Sequence, residues 1–236
     1  MIQVGNIEAL VIRKPIKNLH LSVLPPLGKV RVTAPLVMKD DAIRILLATR
    51  LPWIKKQQVK FEVQERQTKR EYVSGESYYL FGRRHRLEVL YENRPAQVKL
   101  NGNNKIMLHV RPHSAIGKRE EVLMEWYRKE LRTVADEIIS KWQEKIGVQV
   151  TSWGIKRMKT RWGTCNQKGR RIWLNLELAK KPIACVEYVV VHELLHLIEK
   201  KHNERFVNLM TKYLPKWRSE KEELNRFILS HEEWNY

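Results

Sequence analysis

The chain has 236 residues, 43% of them hydrophobic and 30% charged, with 10 glycines and 9 prolines, which excludes a disordered or linker-rich polymer and leaves room for one large or two small folded domains. Its 45 Lys and Arg against 26 Asp and Glu give a net charge of +19, which attracts polyanions and makes nucleic acid or an acidic substrate a natural partner. No apolar run approaches the roughly 18 residues of a membrane helix, and no signal peptide is legible at the amino terminus; with the 2 cysteines, Cys165 and Cys185, this points to a reducing, cytoplasmic setting rather than a disulfide framework.

Residues 7–13, 19–24 and 29–33 read as short strands, separated by Pro15 and by Pro25-Pro26-Leu27-Gly28. After Pro35 the period lengthens: residues 38–49 read as a helix with Asp40 or Asp41 near its start, and Pro52 opens a second helix running to about residue 66. Strands resume at 78–81, 86–91, 97–101 and 105–110, the last pair flanking the turn Asn101-Gly102-Asn103-Asn104. Residues 1–112 are therefore expected to form a mostly antiparallel sheet domain carrying one or two helices, ending at Arg111-Pro112-His113-Ser114. No internal repeat is visible.

In the second expected domain, 113–236, apolar residues recur near the helical period from Val122 to Trp142, on a helix that ends at Gly147. Strand-like stretches follow at 148–159 and 171–176. A strongly apolar helix spans 183–199 just after Pro182, and two more, at about 203–213 and 216–230, flank Pro215. The fold class is α+β.

The apolar helix contains His192-Glu193-Leu194-Leu195-His196. Residues four apart lie on one helix face, about 6 Å along the axis, so two imidazoles can converge on one ion. Glu193 is offset by about 100° and can lean over the open side of the metal, where a carboxylate takes a proton from water. Such short patterns also arise by chance; the burial implied by Val189-Val190-Val191, Leu194, Leu195, Leu197 and Ile198 favours zinc, because two histidines and a glutamate are costly in a core without partners or an ion. A catalytic zinc wants a third protein ligand and an open position. His202, six residues after His196, has the separation found in extended H-E-x-x-H sites, provided that the helix turns near Glu199-Lys200-Lys201. Glu199 occupies the usual glycine position and is an alternative ligand or an outer partner; Glu204, Glu220, Glu222 and Glu223 are further candidates. The remaining histidines read as surface or packing residues.

The segments Lys159-Thr160-Arg161-Trp162-Gly163-Thr164-Cys165, Leu174-Asn175 and Tyr188 to Leu197, ending in His202 and Phe206, together with Tyr72-Val73-Ser74-Gly75-Glu76 and Leu80-Phe81-Gly82, resemble the YgjP-like metallopeptidase family, a relative of the SprT-like and WSS1-like zinc peptidases. The resemblance spans nearly the whole chain. It implies a compact zincin-like domain in the carboxy-terminal half, zinc at His192, His196 and His202, catalysis by Glu193, and a cleft strand carrying Arg161, Trp162 and Gly163 along which an extended peptide could add. Thr164 departs from the usual serine, and Leu195 from a frequent cysteine. From the residues alone, Arg161 to Gly163 equally suit a strand with a packing tryptophan and a bulge glycine.

Three functions compete. The first is a zinc-dependent peptidase acting on a peptide or protein substrate, with nucleic-acid-bound proteins the setting that the related peptidases suggest. The second is a metal-dependent hydrolase of nucleotide phosphoanhydrides. The third is a non-catalytic, nucleic-acid-associated protein with structural zinc, which would require a fourth protein ligand such as Cys165 or Cys185.

Overall fold

The computed structural model describes residues 1–24, 27–63, 70–158 and 161–226, and the chain folds into two compact units, within Met1–Thr68 and Lys69–Ser230. The fold class is α+β, as expected.

The first unit contains β1 (Ile2–Val4), β2 (Ile7–Lys14), β3 (His20–Leu24), β4 (Lys29–Pro35) and α1 (Asp40–Val63), with the strands in the order β1-β2-β4-β3. Alternate residues of the paired inner strands, Ile7 and Ala9 on β2 and Val30, Val32 and Ala34 on β4, are buried against Ile43, Leu47 and Ile54 of α1. These three helix positions share one face, and their burial carries α1 unbroken through Pro52, where two helices were expected. The expected continuation to residue 66 lies outside the described residues. Asp40, in the first turn of α1, pairs with Arg13, a favourable place for a carboxylate.

The second unit opens with β5 (Ser77–Leu80), β6 (Arg83–Tyr91), β7 (Gln97–Asn101) and β8 (Lys105–Val110), in the order β5-β6-β8-β7, and then α2 (Ile116–Ile146). Each four-stranded sheet joins two antiparallel hairpins through a parallel central pair, β2 with β4 and β6 with β8, so both are mostly antiparallel, as expected, with one parallel pairing at the centre. Strand order, strand sense and the following helix repeat between the units, although no repeat is legible in the residues. The four hairpin turns share one local device, a glycine with positive φ: Gly5, Gly28, Gly82 and Gly102.

The boundary expected at Arg111–Ser114 falls inside the second unit. The apolar face of β5–β8 needs a cover, and α2 supplies it: Leu87, Val89, Ile106 and Leu108 share one core with Leu123, Tyr127 and Leu131. The rest of the unit comprises β9 (Ser152–Lys156), β10 (Gly163–Asn166), β11 (Arg171–Asn175), a 3-10 turn (Leu176–Lys180), α3 (Ile183–Leu195), α4 (Glu204–Tyr213) and α5 (Trp217–Arg226). Helix α2 also packs on α3 and the 3-10 turn. In the second sheet, β11 lies between antiparallel β10 and parallel β9, which leaves β10 as an edge. The β5–β6 turn is tied to the approach to α3, since Phe81 N donates to Ala179 O at 2.8 Å and Gly82 lies against Pro182.

A polar clamp joins α2 to α3: Lys141 Nζ and Trp142 Nε1 donate to Glu187 Oε1 at 2.9 and 2.8 Å. Burial raises the Glu187 pKa, but the two donors outweigh it and hold the carboxyl below its ordinary 4.5. Stability from such a group is present above the unfolded pKa and is lost as pH falls through the folded value. Glu187→Gln should therefore cost about 1 kcal/mol at pH 7. Urea unfolding should show the gap between variant and parent closing below the ordinary carboxylate pKa.

Candidate metal centre

Helix α3 starts immediately after Pro182, whose carbonyl accepts from Cys185 N at 2.9 Å. The run Val189-Val190-Val191 is a poor helix former by itself. Burial compensates, because Val186, Val190, Val191, Leu194 and Leu195 are fully enclosed. The helix thereby brings His192 and Glu193 into the core on its last turn. Its α-helical part ends at Leu195, short of the expected residue 199. Leu197 N and Ile198 N bond to the carbonyls of Leu194 and Leu195, both at 3.0 Å, in a tighter turn, and both side chains pack on the core. The chain then reverses and returns His202 to the end of the helix. Asn203 starts α4 by accepting from Phe206 N at 3.0 Å.

This reversal brings three imidazoles to one point. His192 Nε2 lies 3.2 Å from His196 Nε2 and 3.0 Å from His202 Nε2, and the three donor atoms lie within 4.8 Å of one another. Nitrogen ligands at zinc distances in tetrahedral geometry stand about 3.3 Å apart, so the spacing fits such an ion. His196 Nδ1 faces the Glu199 carbonyl at 3.0 Å, which requires the proton on Nδ1 and leaves Nε2 as a bare lone pair aimed at the cluster. Burial, the neighbouring imidazoles and Lys221 push the His192 pKa down to about 3. Burial likewise lowers that of His196, against the opposing pull of the Glu199 carbonyl. Neutral imidazole lone pairs converging at 3 Å repel one another, and a cation among them removes that cost. Phe206 forms the floor, with its ring centroid 4.7 to 4.9 Å from all three imidazoles and stacked on His196.

Glu193 is 6% exposed, and burial pushes its carboxyl up to about 8, partly offset by Arg161. It faces Gly163 at the start of β10. A Cβ at Gly163 would stand 2.7 Å from Glu193 Oε1 and 2.9 Å from Val189 Cγ1, so the strand can approach this closely only as glycine. Gly163→Ala should therefore displace the carboxylate and reduce turnover by about 10²-fold. Metal content, measured in parallel, should be unchanged.

Asn175, fully buried, holds the approach to β10. Its Nδ2 donates to Met158 O at 2.7 Å and Arg161 O at 2.8 Å, while its backbone N bonds to Trp162 O at 2.9 Å. Arg161, Trp162 and Gly163 thus line a cleft of about 850 Å³ together with Glu193 and the three histidines. Trp162 also packs on the core, so the packing and cleft readings of this residue are both satisfied.

The alternative ligands lie elsewhere. The Glu199 carboxylate accepts from Lys201 N at 3.1 Å within the turn, and only its carbonyl serves the site. Glu220 and Glu223 gather around Cys185. Cys165 lines the cleft but is not among the converging donors, and neither Glu204 nor Glu222 joins them among the described residues. His85 and His109 are buried in the sheet, the latter against Glu92, as packing residues. Residues 159–160 of the expected cleft segment lie outside the described residues. The roles of Phe206 and Asn175 were not anticipated. A signal did exist for Asn175, a polar residue closing an apolar strand.

A family model described as YgjP-like, metallopeptidase domain, matches residues 17–227. No curated protein matches. Among solved structures, the metallopeptidase zymogen of Pyrococcus abyssi abylysin is 18% identical with a TM-score of 0.36, over 38% of this chain and 90% of its own. The metallopeptidase zymogen of Methanocaldococcus jannaschii jannalysin is 23% identical with a TM-score of 0.32, over 40% of this chain and 85% of its own.

Proposed function

Because this chain belongs to the YgjP-like metallopeptidase family, we propose that it is a zinc-dependent peptidase in which His192, His196 and His202 hold the metal and Glu193 is the general base. Family membership supports a metal-dependent peptidase. The observation that carries the finer reading is the convergence of three imidazole Nε2 atoms at 3.0 and 3.2 Å beside a buried carboxylate. An all-imidazole set suits zinc, and three ligands leave a coordination position open, which favours a catalytic over a structural role. When bound, the ion supplies Lewis acidity that polarises a carbonyl and acidifies water.

Glu193 accepts a proton from the attacking water and returns it to the departing amine nitrogen. Arg161 and a bound cation both favour the ionised carboxylate that this role needs. Gly163 keeps the backbone close to that carboxylate, and the free edge of β10 gives an extended substrate a strand to pair with. No helix among the described residues is long and apolar enough to cross a membrane, and the free thiols of Cys165 and Cys185 suit a reducing cytoplasm.

The test uses the purified full chain. Metal analysis should find about one zinc per chain, and the loaded protein should cut unstructured protein substrates. Parallel assays would include single- and double-stranded DNA and a panel of nucleoside triphosphates. Nucleotide hydrolysis without proteolysis would transfer the site to phosphoanhydride chemistry.

A further inference from the structure

The cleft around the histidines has a one-sided charge. Arg161, Lys168, Lys200 and Lys221 line it, and the only acid lining it among the described residues is the buried Glu193. All four cations are exposed, and none has a carboxylate within ion-pair distance among the described residues. They come from separate elements: Arg161 precedes β10, Lys168 sits in the turn after it, Lys200 lies in the reversal between His196 and His202, and Lys221 is on α5. The strand wall and the helical wall are therefore both positive. Lys221 and Arg161 line the same cleft as His192 and Glu193, which places these side chains beside the reacting centre.

We infer that this cleft selects peptide segments with aspartate or glutamate on both sides of the scissile bond, with Lys200 and Lys221 as specificity-determining residues. This rests on the peptidase reading and specifies its substrate class. A cleft with low-dielectric walls and charges of one sign concentrates its field on the ligand. Acidic side chains flanking the cut bond meet cations on either wall, whereas lysines there meet like charge. Polypeptide fits better than polynucleotide for two reasons. The edge strand β10 offers backbone donors and acceptors in the register of an extended peptide. The aromatic residues of the cleft, Tyr188 and Trp162, are buried and half-buried and so present no platform for stacking bases.

Two quenched fluorescent peptides, identical except for Glu or Lys at the positions flanking the cut bond, test this with the zinc-loaded full chain. The glutamate peptide should show a kcat/KM about tenfold higher, from several pair contacts of ordinary size, and the advantage should shrink as salt rises. Lys200→Glu/Lys221→Glu should reduce the glutamate-to-lysine ratio by about tenfold or more, since it replaces two attractions by repulsions. If that variant does not fold, Lys200→Gln/Lys221→Gln should still lower the ratio. A binding measurement with Glu193→Gln, by anisotropy of the same two peptides, reads the selectivity without turnover. Binding selectivity without cleavage by the parent would sink the peptidase reading but leave the cleft assignment standing. Equal or lysine-favouring ratios, or an unchanged ratio in the Lys200 and Lys221 variants, would overturn the inference. So would a single-stranded oligonucleotide of equal length that binds more tightly than the glutamate peptide, which would reassign the cleft to nucleic acid.

Discussion

Glu193→Gln should keep its metal and lose about 10³-fold or more of peptide turnover. Glutamine has nearly the same shape, so the contact with Gly163 and the three imidazoles is preserved, but its amide cannot take the proton from water. Turnover close to the parent value would remove Glu193 from the role of base. The same substitution has a second readout, free of catalysis. Burial raises the folded pKa of Glu193 to about 8 against an ordinary 4.5. In the metal-free chain, the stability that depends on a neutral side chain here is complete below the unfolded pKa and is lost as pH rises toward the folded one. Metal-free Glu193→Gln should therefore melt above the metal-free parent at about pH 8, and the difference should vanish near pH 4.

His196→Ala should abolish stable metal binding and, with it, all hydrolysis. On the proposed ligand set it removes one of three donors, a loss well beyond the roughly 10- to 100-fold that accompanies loss of an outer partner. It also leaves the Glu199 carbonyl without its imidazole donor and exposes the face of Phe206 on which His196 stacks. Thermal denaturation with and without zinc separates the effects. The parent should be stabilised by zinc through its preference for the folded state, whereas the variant should show no zinc-dependent shift. Zinc stoichiometry near one in His196→Ala would displace this residue from the ligand set.

Local pattern and tertiary packing contributed different things. Most strands and the helices α2 to α5 were legible, because alternation and the helical period report burial directly; β7 and β8 match their expected bounds. Pro52 misled because a proline inside a helix is punished locally but can be carried by an apolar face packed on a sheet, a term that no window of residues contains. The domain boundary misled for a related reason. A turn containing Pro112 reads as a linker, yet the sheet before it and the helix after it bury each other. The topological repeat is not legible in the residues because strand order depends on pairing between distant segments, while the residues preserve only alternation and four turn glycines.

The same division runs through the candidate site. The spacing of His192, Glu193 and His196 follows from helix geometry and was readable without a structure. The arrival of His202, by contrast, depends on a reversal that starts at Leu195 and is held by a backbone carbonyl, an interaction with no side-chain signature. The order of residues alone specifies the chemical kinds present, two imidazoles one helical turn apart with a carboxylate next to the first, and an excess of positive charge. Packing, by contrast, sets that β10 lies against Glu193, that Phe206 underlies the three rings, and that four cations face one cleft. Those are contacts between residues far apart along the chain, set by how helices and sheets bury their apolar faces.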